Sequence, residues 1–284
     1  TVVNSVINVV AGTATASANG LSSSITAQNA GTGNQNGGDI NLTPGTATGT
    51  GTAGKVVVNS DMTVNTITVG LGKNNISSNT ALGSSALAGN NSGSGANTAI
   101  GYQALLGNTS GSGNVALGYG SLATNTTSSD NTAVGTFALN AATGSSSAGN
   151  VAIGAAALQN GMYIAYNTAI GKGALNLANG TSSTATTYNT AVGYNALNKN
   201  TTGTNNLALG AGALFNITTA SNNTAVGLDA GSYNLSAVIN STGTNGIFLG
   251  YKAQPSANAL TDEIVIGAST VGKGSNTVTI GNNS

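Results

Sequence analysis

The sequence contains no cysteine, histidine, arginine or tryptophan, only two prolines, and twelve charged side chains: six Lys, five Asp and one Glu. Each scarcity removes a class of function. Without cysteine there is no disulfide framework, no thiolate metal site and no thiol nucleophile. Without histidine a Ser–His–Asp triad within the chain is impossible. Charged residues make up 4%, against about 25% in typical soluble domains. The clustered Lys and Arg that hold nucleic-acid phosphates or an anionic membrane surface are therefore missing. No run of eighteen apolar residues exists, so no helix-forming segment is long enough to insert in a membrane. The stretch Val2–Ala11 is apolar but short, and Asn4, Ser5 and Asn8 interrupt it. The chain opens on Thr1 with no charged, signal-like start, as a fragment of a longer or processed protein would.

The few acids offer little chemistry. Asp262 and Glu263 are neighbours, so on a strand they point to opposite faces and are expected to be plain solvated charges. Glycosidase chemistry needs two facing carboxylates roughly 5–10 Å apart. Asp39, Asp61, Asp130 and Asp229 are scattered and suit turns. No D-x-D or G-G-x-G-x-D array offers calcium a site. The expectation is no catalytic, cofactor-binding or metal-binding residue.

What the chain does have is a repeated phrase. "NTAIGYQAL" (97–105), "NTAVGTFAL" (131–139) and "NTAVGYNAL" (189–197) are near copies. The glycine closing N-x-A-[ILV]-G recurs at 83, 101, 118, 135, 154, 171, 193, 210 and 227, at spacings of 18, 17, 17, 19, 17, 22, 17 and 17. "NTITVG" precedes the series, ending at Gly70. "GIFLG", "EIVIG" and "NTVTIG" continue it to Gly250, Gly267 and Gly281. A base period of 17 with small insertions marks a solenoid. So regular a hydrophobic pattern excludes simple disorder, despite the Gly- and Ser-rich composition.

The columns of the repeat are sharply defined. Directly before the glycine stand Leu82, Ile100, Leu117, Val134, Ile153, Ile170, Val192, Leu209 and Val226. One position earlier stand Ala81, Ala99, Ala116, Ala133, Ala152, Ala169, Ala191, Ala208 and Ala225. Four after the glycine come Leu87, Leu105, Leu122, Leu139, Leu158, Leu175, Leu197 and Leu214; Gly231 breaks that column. Side chains alternate faces along a strand. The pre-glycine aliphatic therefore shares a face with the Thr/Val/Leu position two before it, and the alanine shares the other face with the leading asparagine. The glycine permits a corner, a second short strand carries the "AL" pair, and Asn/Ser/Thr/Gly runs such as 107–113 form turns. One copy is thus one coil, too short between its Gly and Asn breaks to hold a useful α-helix.

This reading predicts an all-β chain: a parallel β-roll or β-solenoid of about 12 coils, roughly 60 Å long at about 4.8 Å per coil. One Ile and one Leu per coil cannot offset the ordering of a whole coil, so stacking must supply the rest. The coil core is expected to be the pre-glycine aliphatics together with the leucine column. The nine alanines, where backbones approach closely and only a methyl fits, are expected to form a seam with other chains, which a threefold arrangement would place near a shared axis. The leading asparagines Asn79, Asn97, Asn131, Asn167 and Asn189 suit a stacked ladder.

The phrases "NTAIGYQAL", "NVALGYGSL" and "NTAVGYNAL" resemble the head repeats of YadA-like trimeric autotransporter adhesins, repeats that also occur in bacteriophage tail fibres. The resemblance covers roughly residues 65–284. It implies a left-handed parallel β-roll, association as a homotrimer, and an extracellular place on a virion tail or bacterial surface. The period is longer than that of adhesin heads, whose coils often run nearer fourteen residues; the steps Gly70–Gly83 and Gly267–Gly281 come closest. The tail "ALTDEIVIGASTVGKGSNTVTIGNNS" (259–284) looks like the stretch of phage tail fibres that precedes an endosialidase-type intramolecular chaperone, which is absent here. The end at Ser284 is then either that chaperone's cut or an arbitrary boundary. Residues 1–64 differ: "GGDINLTPGTATGTGTAGKVVVNS" (37–60) resembles the Gly-rich β segments of fibre shafts, with Pro44 in a loop. Two domains are expected, 1–64 and 65–284.

The implied function is a non-catalytic structural segment of a trimeric fibre, its chief partner itself, attaching to a host-cell glycan, a protein or another surface. An alternative is a carbohydrate-binding module acting through Tyr102, Tyr119 and Tyr194, which follow repeat glycines, and through Tyr163 and Tyr166 in an inserted loop. Tyr251 also follows a repeat glycine, and Tyr188 and Tyr233 also lie in inserted loops; 160–167 and 231–245 are the insertions most suited to receptor contact. A more remote alternative is ice binding through Thr80, Thr98, Thr132, Thr168, Thr190 and Thr224, a column that Val115, Val151 and Leu207 interrupt.

Overall fold

A computed structural model describes residues 62–64, 67–90, 94–142, 147–179, 186–232 and 241–281. They belong to one compact unit, Asn59–Ser284. The Gly/Thr-rich region expected over 1–64 lies, apart from its last three residues, outside the described residues. So do Asp39, Pro44, Asp61, Tyr233 and the middle of the 231–245 insertion.

Strands β1 (Met62–Val64) and β2 (Ile67–Gly70) form an antiparallel hairpin, and β2 runs antiparallel to β3 (Thr80–Gly83). From there every neighbour in the main sheet is parallel. The series continues through β4 (Thr98–Ile100), β5 (Val115–Leu117), β6 (Thr132–Val134) and β7 (Val151–Ile153). Two short strands, β8 (Ile164–Ala165) and β10 (Thr186–Thr187), arise in insertions and pair with each other. The main sheet meanwhile runs on through β9 (Thr168–Ile170), β11 (Thr190–Val192), β12 (Leu207–Leu209) and β13 (Thr224–Val226). It finishes with β14 (Ile247–Leu249), β15 (Ile264–Ile266) and β16 (Val278–Ile280). Each coil contributes one strand, in unbroken register: Ala81 faces Ala99, Ala99 faces Ala116, and so on to Ala208 and Ala225. The fold is a parallel β-solenoid of about eleven turns, with no α-helix among the described residues.

The repeat glycine holds this register. Gly118 sits at φ 135°, where side chains are strained, and a Cβ there would lie 2.6 Å from the Gly135 carbonyl oxygen of the next coil. The same collision recurs from coil to coil, so one coil's corner stacks directly on the next.

The "AL" pair does not form a second strand. Ala104 closes a turn by donating its N–H to Gly101 O (3.3 Å), and Leu105 takes a left-handed φ of 51°. The other seven leucines of the column do the same, at φ 47–52°. A left-handed residue costs roughly 1–2 kcal/mol. Full burial of a leucine contributes about 1.5–3 kcal/mol, and each leucine N–H still bonds to the next coil, as Leu105 does to Ser121 O at 3.0 Å. The turn keeps the ladder and aims the leucine inward.

The structure inverts the expected faces of the strand. Ala81, Ala99, Ala116, Ala133, Ala152, Ala169, Ala191, Ala208 and Ala225 are sealed inside a single chain at 0–1% exposure, so they form no seam. Leu82, Leu117, Ile153, Ile170 and Leu209 are exposed, and Ile100, Val134, Val192 and Val226 are half-buried, so none of these nine is coil core. The interior is instead built from the strand alanine, a second alanine in the turn (Ala104, Ala138, Ala157 and their equivalents) and the leucine. The cause is the thinness of the coil. One leucine fills it, leaving room for only a methyl on the opposite wall.

Asparagine accompanies alanine inward because it is fully bonded there. The Oδ1 of each ladder asparagine accepts the backbone N–H of the next, from Asn79–Asn97 (2.9 Å) through Asn131–Asn150 (3.0 Å) to Asn223–Gly246 (2.8 Å). The Nδ2 groups donate to carbonyls of the following loop, as Asn131 does to Ser147 O at 2.8 Å. A buried amide so satisfied carries little penalty.

Where the leucine column breaks, the volume is replaced from the next coil. A Cβ on Gly231 would lie 2.9 Å from Phe248 Cδ2, and Gly246 also abuts that ring. Phe248 occupies the strand-alanine position in β14 and is 2% exposed. Glycine for leucine, glycine for asparagine and phenylalanine for alanine together keep the core filled.

Candidate interaction surface

With alanine and asparagine inside, period-two alternation puts two rows of side chains on the outer face of the main sheet. One row is the pre-glycine aliphatics, continued by Leu249, Ile266 and Ile280. The other is Thr80, Thr98, Val115, Thr132, Val151, Thr168, Thr190, Leu207, Thr224, Ile247, Ile264 and Val278. No charged residue lies in either row. Leu117 is 43% exposed, Leu209 46% and Ile280 74%. Because the strands are in register, eleven steps of about 4.8 Å make the strip roughly 50 Å long. An uncharged surface of this length, aliphatic along one row and Thr/Val/Leu/Ile along the other, is the candidate interaction surface, which scattered exposed leucines would not be.

The tyrosines flank this strip, and most are occupied with one another. Tyr102 stacks on Tyr119 with ring centroids 5.2 Å apart and planes at 17°. Tyr119 meets Phe137 edge-on at 5.0 Å. In the insertions, Tyr166 stacks on Tyr188 at 5.4 Å and 9°. Lys252 holds its Nζ 5.3 Å over Tyr251. Tyr163 is half-buried. Of the five tyrosines predicted as glycan contacts, Tyr102, Tyr119 and Tyr166 thus give at least one ring face to another aromatic. Tyr194 alone among the exposed tyrosines has no ring or ammonium recorded against it among the described residues.

Shallow cavities open on the surface of the described residues, two of them of note. One, of about 390 Å³, is lined by Ala141, Asn160, Met162, Leu177, Asn179 and Thr201. The other, of about 240 Å³, is lined by Tyr194, Asn195, Ala211, Gly212, Phe215, Leu228 and Asp229. Sequence reasoning singled out Tyr194 and missed the rest of the second cavity. The signal was present in the columns: the two positions after the glycine read Tyr194–Ala211–Leu228 and Asn195–Gly212–Asp229, large–small–large in both.

The acidic pair also departs from expectation. Asp262 is exposed and accepts from Asn245 Nδ2 at 3.0 Å. Glu263 is not solvated: it is 1% exposed, because it occupies the asparagine-ladder position of its coil. Its Oε1 accepts from the Gly274 N–H (2.9 Å) and Ser256 Oγ (3.3 Å), while Oε2 has no partner. Among the described residues no three His, Cys, Asp or Glu side chains gather as a metal site would require. No helix of these residues is long and apolar enough to cross a membrane.

By fold and surface the chain belongs to the class of parallel β-solenoids with an apolar outer sheet face. Comparison with protein-family models, curated proteins and solved structures gives no match to it.

Proposed function

We propose that this chain is a non-catalytic structural segment of a homotrimeric fibre, of the phage tail-fibre or bacterial surface-adhesin kind, that works outside the cell in attachment to a host or surface. The observation that carries the reading is the uncharged aliphatic strip along the whole sheet. A monomer leaves it in water; three copies packed about a common axis bury it. The seam of the trimer is then the pre-glycine row with the Thr/Val/Leu row beside it, in place of the alanines. Burial of apolar area contributes about 25 cal/mol per Å², so a strip of this length supplies association energy without any salt bridge. The resemblance to YadA-like repeats supports the same stoichiometry, and the scarcity of reactive side chains suits a mechanical role.

Light scattering on the folded chain tests this, with circular dichroism on the same sample. The expected mass is three times 27.1 kDa, with a β spectrum. The double variant Leu117→Asp, Ile153→Asp is expected to keep the spectrum and fall to the mass of one chain. A wild-type chain that is monomeric at micromolar concentration refutes the trimer.

The outward position of the threonine row favours a second reading, a flat water-ordering array for ice. Six aliphatics interrupt that row, which suits burial better than an ordered water layer. Thermal hysteresis by the wild-type chain, abolished in Thr132→Leu, decides for ice.

A further inference from the structure

The notch beside Tyr194 carries an inference that deepens the attachment part of the fibre reading and rests on it. Where aromatics follow one another at the positions after the repeat glycine, they stack and fill the surface. At three successive coils the filling fails in the middle. Ala211 stands between Tyr194 and Leu228, and Gly212 between Asn195 and Asp229. The result is a recess of about 240 Å³, one coil high.

Its walls differ in chemistry. Tyr194, 58% exposed, forms one side and Leu228, 45% exposed, the other, while the half-buried Phe215 closes the floor. The polar groups stand on the adjacent column, with the Asp229 carboxylate over Gly212 and the Asn195 Oδ1 turned the other way, over Gly173. The Asp229 carboxylate overhangs Gly212, where a Cβ would collide with Oδ1, so the glycine is needed to seat it. That carboxylate has no hydrogen-bond partner or counter-ion among the described residues. Asn195 Oδ1 accepts from Asn198 Nδ2 at 3.3 Å, which turns the Asn195 amide nitrogen into the available donor. Lys199 Nζ lies 4.9 Å over the ring of Phe215, a residue of the recess lining, and bonds Asn216 Oδ1 at 2.9 Å.

We propose that this recess binds a single neutral pyranose residue of a surface glycan. A sugar ring has an apolar face of axial C–H groups, which matches Tyr194 and Leu228, and an edge of vicinal hydroxyls that both donate and accept. The Asp229 carboxylate accepts from one hydroxyl, and the Asn195 amide donates to its neighbour. Concave sites that recognise small molecules combine these elements, an apolar lining and a few convergent polar groups. Asp229 also sets specificity, because its carboxylate repels a sugar acid. The stacked tyrosine pairs at 102/119 and 166/188 lack both the recess and the carboxylate, so they are not part of the site.

Saturation-transfer NMR tests the assignment on the full chain. The probes are the methyl glycosides of glucose, galactose, mannose, rhamnose and N-acetylglucosamine, with N-acetylneuraminic acid as the acidic control. At least one neutral glycoside is expected to give a saturable signal, and the acidic sugar none. Ala211→Leu fills the recess without removing any of its groups, on an outer column where the coil tolerates tyrosine and leucine. It is expected to weaken binding at least tenfold, as are Tyr194→Ala and Asp229→Ala; Tyr102→Ala is expected to leave it unchanged. Silence from every neutral glycoside overturns the proposal, as does a signal that Ala211→Leu leaves intact. Tetramethylammonium binding in place of the sugars makes the recess an organic-cation site and overturns it equally. Light scattering on the same samples separates the two hypotheses: a trimer that ignores sugars refutes only the recess, and a monomer that binds them refutes only the trimer.

Discussion

Removing one rung of the asparagine ladder is the sharpest test of how the coils hold together. Asn131 is fully buried. Its Oδ1 accepts from both the backbone N–H and the Nδ2 of Asn150, each at 3.0 Å, and its Nδ2 donates to Ser147 O at 2.8 Å. Asn131→Ala leaves the Asn150 N–H and the Ser147 carbonyl without these partners inside a coil that has no spare volume. The Asn150 amide nitrogen keeps its bond to Ile164 O at 3.1 Å and loses less. Each buried group left unpaired costs about 1–3 kcal/mol, so the substitution is expected to destabilise the solenoid by about 3–5 kcal/mol. Asn222→Ala is the control. It is an exposed asparagine whose side chain, among the described residues, bonds its exposed counterpart Asn245 at 3.2 Å, and its loss is expected to cost about 1 kcal/mol, chiefly because alanine then takes the left-handed φ of 61°. Urea denaturation followed by circular dichroism measures both. Amide exchange then localises the damage: the Asn150 N–H is expected to lose protection, while the Asn206 N–H, several coils away, retains it. If Asn131→Ala matches Asn222→Ala in midpoint and leaves Asn150 protected, the ladder does not hold the coils together and the reason given for burying asparagine is wrong.

Three further outcomes follow from the same packing. Phe248→Ala is expected to cost about 3–5 kcal/mol through the cavity it leaves, and adding Gly231→Leu is expected to recover most of it, since leucine already adopts left-handed φ throughout that column; a double variant no more stable than the single one refutes the exchange of volume. Ala152→Leu is expected to overpack the coil by about 1–3 kcal/mol or more, whereas Ile153→Ala in the chain's monomeric state is expected to cost under about 1 kcal/mol; thermal melts with the opposite ranking would restore the alanines to the surface. Glu263→Gln keeps the Oε1 acceptor and removes a buried carboxylate that has no counter-ion among the described residues, so it is expected to raise stability by about 1 kcal/mol or more, and a loss in urea midpoint refutes that.

Much of the architecture is legible in the residues. The 17-residue period, the glycine corner, the inward leucine and the pairing of residues on common faces all follow from local spacing and from the alternation of a strand. These properties need no knowledge of neighbouring coils. The recess at Tyr194 is a middle case. Its large–small–large columns stand in the sequence, but the cavity exists only because stacking brings positions seventeen residues apart to about 4.8 Å.

Which face points inward was decided by tertiary structure alone. By hydropathy Leu117 belongs inside and Asn114 outside; the fold does the reverse. The reason is that burial of a polar group depends on its partners, and the Asn114 amide donates to Asn97 Oδ1 at 3.2 Å, on the preceding coil, and to Ser128 O at 2.9 Å, in the loop fourteen residues on. A single repeat lacks the first, and the second comes within reach only when the coil closes. Glu263 was misplaced for the same cause: its burial follows from the column it inherits, not from its own chemistry. The aliphatic strip is the other half of that decision. Once the ladder claims the interior, the branched side chains are left on the outer wall, where only another surface can cover them.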